Sequence, residues 1–143
     1  MKADPQTEAA VMNVMNQLAE AFAKRDLDNL LALYAPDPDV VVIGTGGDEK
    51  CTGLAEIRTV FQRAFAQSEA AFVKIGWHSV SVAGSVAWVA ADIILHVKTS
   101  GRQISLQARS TAVLEQRGDK WLIVQFHGSL PAAGQKEGEA FPT

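Results

Sequence analysis

The stretch Gln103–Pro131, QISLQARSTAVLEQRGDKWLIVQFHGSLP, decides how this chain is read. Its first half, Gln103 to Glu115, alternates: Ile104, Leu106, Ala108, Ala112 and Leu114 fall on one parity, and Ser105, Gln107, Arg109, Thr111 and Val113 on the other. Alternation with period two is the mark of a strand with two unlike faces. Gln116-Arg117-Gly118-Asp119 has the polar, glycine-containing composition of a hairpin loop. The second half, Lys120 to Gly128, puts Leu122, Val124 and Phe126 on one face and Trp121, Ile123, Gln125 and His127 on the other. Each strand thus carries one plainly apolar face and one that mixes apolar with ionisable groups. The mixed faces are expected to wall a pocket.

Working back from this hairpin, two more long strands precede it. Phe72 to Val82 turns at Ala83-Gly84-Ser85 into Val86 to Val97, which closes at Thr99-Ser100-Gly101. Gly76 inside the first of these marks a bulge or bend. Further upstream the period changes to that of helices. Asp4-Pro5 offers an N-cap followed by proline at the first helical position, and Val11, Val14, Met15, Leu18 and Phe22 draw one apolar stripe that should end near Lys24-Arg25. Asp26 can cap a second, short helix that buries Leu27, Leu30, Leu31 and Tyr34 before Pro36 and Pro38 stop it. Val40–Ile43 reads as a strand buried on both faces, and Gly44–Glu49 as a flexible turn without the spacing of a phosphate loop. Thr52 can cap a third helix striped by Leu54, Ile57, Val60, Phe61, Ala64 and Phe65. Helix, helix, strand, helix and a four-stranded meander make an α+β domain over residues 1–131, with a curved antiparallel sheet wrapped round the N-terminal helices. Residues 132–143 lack periodicity and are expected to be a loose tail.

Composition narrows the function classes. A chain of 143 residues is one domain with room for a proper core, and scattered basic residues with a net charge of −3 argue against nucleic acid as a partner. No apolar run approaches the length of a membrane helix, and MKADPQTEAA has no basic segment leading into an apolar one, so neither a membrane nor a signal peptide is expected and the cytoplasm is the default location. The single cysteine, Cys51, has no partner for a disulfide, and His78, His96 and His127 lack metal-ligand spacing. No dinucleotide fingerprint or nucleophile elbow is present, so neither a metal nor a cofactor is expected.

The element order, together with Asp26–Tyr34, Ile43–Glu49 followed by Gly53, Val86–Val89, Arg109–Thr111 and Trp121–Pro131, resembles the nuclear transport factor 2-like superfamily and its SnoaL-like branch. The resemblance covers nearly the whole chain. It implies a cone-shaped α+β barrel with a pocket at its open end, and commonly a homodimer through the outer face of the sheet. It does not single out an activity, because isomerases, dehydratases, cyclases, binding domains and assembly domains share the fold.

On such a cone, His127 on the face of Trp121, Ile123 and Gln125 is a candidate general acid or base; the plainer alternative is a histidine bonded to its neighbours at a strand end. Arg109, on one face with Thr111, could hold an oxyanion, or pair with Asp92 or Glu49. Asp92, between apolar neighbours and on the parity of Trp88, could move a proton, or be held ionised by Arg109. Glu49 is a candidate for the pocket rim. Tyr34, Trp77 and Trp88 are core aromatics of which one or two should wall the cavity. The leading expectation is a cofactor-free isomerase, dehydratase or cyclase acting on a small, largely apolar compound, with Asp92 or His127 moving the proton and Arg109 holding the oxyanion. A non-catalytic pocket for a small organic ligand, or a dimerisation module, are the alternatives.

Overall fold

The computed structural model describes all 143 residues. Helix α1 spans Pro5–Ala23 and starts as its sequence dictates: the Asp4 side chain accepts the Thr7 backbone N–H at 3.0 Å. Helix α2, Leu27–Ala32, is capped likewise by Asp26, which accepts from the Asn29 N–H at 3.2 Å. Between them Arg25 takes a left-handed φ of 57°. Its guanidinium lies 5.0 Å from the Phe65 ring and donates to the Phe65 and Ser68 carbonyls, which ties the α1–α2 corner to a third helix, α3, Gly53–Ala66.

Six strands form one sheet: β1 Val41–Ile43, β2 Lys50–Thr52, β3 Ala70–Ala83, β4 Val86–Thr99, β5 Arg102–Arg117 and β6 Lys120–Ser129, in the order β2-β1-β6-β5-β4-β3. The four-stranded meander is as expected, and the β5–β6 loop shrinks to Gly118-Asp119, with Gly118 at φ 65°. The sheet is curved but open rather than closed into a barrel, with β2 at one edge and β3 at the other, where Ala3 N–H donates to the Val80 carbonyl and Val82 N–H to the Met1 carbonyl. Two features differ from expectation. The sheet is mixed, because β1 runs parallel to β6 (Val42 opposite Phe126). And β2, at three residues, is a strand that has no periodicity to announce it. Thr52, the expected side-chain cap of α3, makes no such bond; instead Glu56 reaches back to accept the Thr52 backbone N–H at 2.7 Å.

Two bulges set which side chains face inward. One lies between Ile75 and His78, at the glycine that marked a bend. The other leaves Val124 unpaired, because Val113 lies opposite Gln125 while Leu114 lies opposite Ile123. An extra residue reverses the alternation. Ile123 therefore points inward before the bulge, and Phe126 and Gly128 point inward after it. The core packs Val11 of α1, Leu30 of α2 and Ile57 of α3 with Val89, Leu114 and Ile123 of the sheet. No helix is long and apolar enough to cross a membrane.

Candidate functional site

Between the helices and the inner face of the sheet lies a cavity of about 290 Å³. The sheet contributes small side chains to its wall, Ala91 from β4, Ala108 and Ser110 from β5 and Gly128 from β6, and this row of missing volume is what keeps the space open. On the helical side Phe22, Phe61 and Phe65 pack edge to face and tilted, with centroids 5.6 to 6.4 Å apart; Phe22 and Phe61 face the cavity. Twenty-two of the 29 lining residues are hydrophobic, so the few polar groups among them carry the specificity.

Tyr34 is the most buried of these. It is 2% exposed, and its hydroxyl has no hydrogen-bond partner in the protein. An unpaired buried hydroxyl costs about 1–3 kcal/mol, and such groups are rare enough to ask for a reason. Burial also pushes the phenol well above the ordinary tyrosine range, so it stays a neutral donor. Its backbone is anchored on both sides: Ile123 N–H donates to the Leu33 carbonyl and Ala35 N–H donates to the Ile123 carbonyl, each at 2.9 Å. Ser110, 6% exposed, adds a second hydroxyl on the wall.

Glu49 and Arg63 are the charged residues lining the cavity, and both reach solvent, which places them at the mouth. Arg63 donates to Asp48 at 2.8 Å and to Glu49 at 3.4 Å. Its guanidinium holds the Asp48 carboxyl below the usual carboxylate range. The loop Gly44–Glu49 closes on itself through Gly44 N–H to Glu49 O at 2.9 Å and Glu49 N–H to Gly46 O at 3.0 Å. A Cβ at Gly44 would collide with Glu49 Oε2, so any other residue there forces the Glu49 side chain aside. Cys51 also faces the cavity, and burial pushes its thiol up.

Of the residues singled out from sequence, Tyr34 and Glu49 line the cavity. The others do not. Asp92, Arg109 and His127 are exposed on the outer face, as are Thr111 and Gln125. Asp92 does lie opposite Arg109, and Thr111 opposite His127, so these groups are neighbours, but they face away from the pocket. Trp77 sits in the first bulge at 62% exposed, Trp88 is half-buried on the outer row, and Trp121 lines a separate groove against α1 and α2. The mixed strand faces are thus the outer surface, and the plainly apolar parity of β5 is the pocket wall. Sequence reasoning passed over Ser110, Cys51 and Arg63. The run of small residues Ala108, Ser110 and Ala112 on one parity was the available signal for a void.

The three histidines are apart: His78 lies 3.4 Å from Glu8, His96 bonds Ser105 at 2.9 Å and stacks on Phe72, and His127 stands on the outer face. No group of three or more His, Cys, Asp or Glu side chains is placed to hold a metal ion.

Residues 11–133 match the profile of the SnoaL-like domain. No curated protein sequence matches the chain. Among solved structures, a nuclear transport factor 2-like superfamily protein from Salmonella enterica serovar Typhimurium superposes with a TM-score of 0.84 at 18% identity, covering 97% of this chain and 100% of that one. A provisionally assigned aromatic ring hydroxylase from Novosphingobium aromaticivorans gives 0.82 at 20% identity, covering 92% and 93%. A provisionally assigned scytalone dehydratase from the same organism gives 0.78 at 11% identity, covering 88% and 85%. At such identities the likeness establishes the fold alone.

Proposed function

The chain belongs to the SnoaL-like domain family, and from that premise we propose that it is a small-molecule pocket protein whose ligand is compact, largely apolar and tipped with a carbonyl-type acceptor. The observation that carries this reading is the unpartnered hydroxyl of Tyr34, a residue in the wall of an otherwise apolar cavity. A carbonyl oxygen would give that hydroxyl its missing bond, while a plain hydrocarbon would leave the cost in place. The volume, near the lower end for ligand sites, suits one or two rings.

Catalysis, in this reading, runs through Glu49 rather than through the outer-face trio. Burial pushes Tyr34 and Cys51 up, so both stay protonated, which leaves Glu49 as the lining carboxylate to accept a proton. It would take a proton from the carbon next to the carbonyl: the C–H bond breaks, the proton goes to the Glu49 carboxylate, and the enolate oxygen is held by the Tyr34 hydroxyl. Return of the proton to another carbon is an isomerisation, and loss of a β-hydroxyl as water is a dehydration. Neither step needs a cofactor. The Arg63–Glu49 contact at 3.4 Å favours the plainer alternative, a binding domain, since it engages the base. The outer face, with Phe72 and Trp77 exposed, supports a homodimer, which sedimentation equilibrium would test.

A matched pair of probes tests the pocket. 2-Acetylnaphthalene should bind wild type about tenfold more tightly than 2-ethylnaphthalene, a difference of one hydrogen bond, and Tyr34→Phe should erase that preference. Equal binding of both probes by wild type would overturn the reading. Exchange of the ketone's methyl protons in D2O, present in wild type and lost in Glu49→Gln, separates enzyme from binder.

A further inference from the structure

We propose that the Asp48–Arg63–Glu49 cluster is a charge filter at the cavity mouth, which admits neutral carbonyl compounds and turns away carboxylates of the same shape. The proposal rests on the pocket reading above and adds its substrate class. Arg63 is the one cation among the residues lining the cavity. Left free at the rim of an apolar pocket, a guanidinium would be a receptor for anionic ligands, since its two arms match a carboxylate. Here both arms are already taken: Nη1 lies 2.8 Å from Asp48 and Nη2 lies 3.4 Å from Glu49. One positive charge faces two negative ones, so the rim carries a net charge of about −1.

A ligand carboxylate then has two places to go, and both are unfavourable. Beside Tyr34 and Ser110 it meets hydroxyls and no cation, and a buried charge without a counter-charge is heavily penalised. At the mouth it faces Glu49 and Asp48 and must displace one of them from Arg63. A ketone needs only the Tyr34 hydroxyl. Asp48 is the member that makes the filter specific, because it does not line the cavity: its side chain is 72% exposed, and its partner in the structure is Arg63. Discrimination by an element that repels the wrong ligand, rather than by one that attracts the right one, is a common way to obtain specificity.

Equilibrium dialysis of 2-acetylnaphthalene against 2-naphthoate, at low and high salt, tests the filter. Wild type should prefer the ketone by about tenfold or more at low salt. Asp48→Asn should tighten naphthoate by about three- to fivefold, the size expected for one part-exposed charge, and leave the ketone unchanged. High salt should narrow both differences. Equal affinity of wild type for the two probes, or an unchanged ratio in Asp48→Asn, overturns the filter while the pocket reading stands. Failure of wild type to bind either probe overturns both.

Discussion

Tyr34 is held in place by Ile123. The backbone on either side of the tyrosine is hydrogen-bonded to that one residue of β6, whose own side chain is fully buried. The hydroxyl this tyrosine buries has no partner in the protein. Tyr34→Phe should therefore leave the unliganded protein no less stable, and about 1 kcal/mol more stable if the lost hydroxyl was wholly unsatisfied. The melting midpoint would rise by about 3–5 °C. A drop of similar size on thermal denaturation would mean that the hydroxyl has a partner after all.

The glycine loop gives a coupled prediction. A methyl group at Gly44 would meet Glu49 Oε2, and would lie 3.1 Å from its Cβ and Cδ. Gly44→Ala should cost about 1–3 kcal/mol by forcing Glu49 aside. In a Glu49→Ala background the same change should cost little, because the colliding atoms are gone. Denaturant midpoints for the four proteins close the cycle, and simple additivity would refute the cradle.

Arg117 ties the end of β5 to Asp37, 80 positions away, and also to Glu115. The hydrogen bonds from Arg117 hold the Asp37 carboxyl below its ordinary value of 3.8. A carboxyl depressed in the folded state adds stability that is complete above the unfolded value and fades as pH falls through the folded one. Urea titrations from neutrality to below about pH 4 should thus show a steeper acid loss for wild type than for Asp37→Asn. Parallel curves would show that the pair does not contribute.

Cys51 reports on the cavity from inside. Its thiol is pushed up, first by burial and then by Glu56 and Glu49. Iodoacetamide should label it more slowly than an exposed cysteine at pH 8, and the rate should climb with pH beyond the usual thiol range. Bound 2-acetylnaphthalene should slow labelling further. Labelling indifferent to the ketone would place the probe elsewhere.

Most of the fold is written in periodicity and caps. Asp4, Asp26 and Gly118 act where their chemistry says they should, and the bend read from Gly76 is a bulge. The site was less legible for one local reason. Val124 is an extra residue in a pattern that otherwise alternates without fault, and apolar residues on both sides of it hide the reversal. Counting parity through it puts His127 and Gln125 with Ile123, when the fold puts them on the opposite face. The ionisable residues of β4 and β5 invited the same error, since a charged strand face looks like a pocket only if the other face is assumed to be full. Tyr34 could be read as buried, but its lack of a partner is a fact about every neighbour at once.

The parallel pairing of β1 with β6 also sets an order of events. Val42 and Phe126 are 84 positions apart, and the strands between them can pair with one another before these two meet. As the chain emerges from a ribosome, β3, β4 and β5 can pair while β1 and the loop behind it still wait for β6 to be made. Tyr34 waits as well, because its anchor is Ile123. The pocket is therefore the last part of the molecule to exist. A chain ending at Gly118 should retain protease-resistant β3, β4 and β5 yet cleave freely between Leu33 and Glu49.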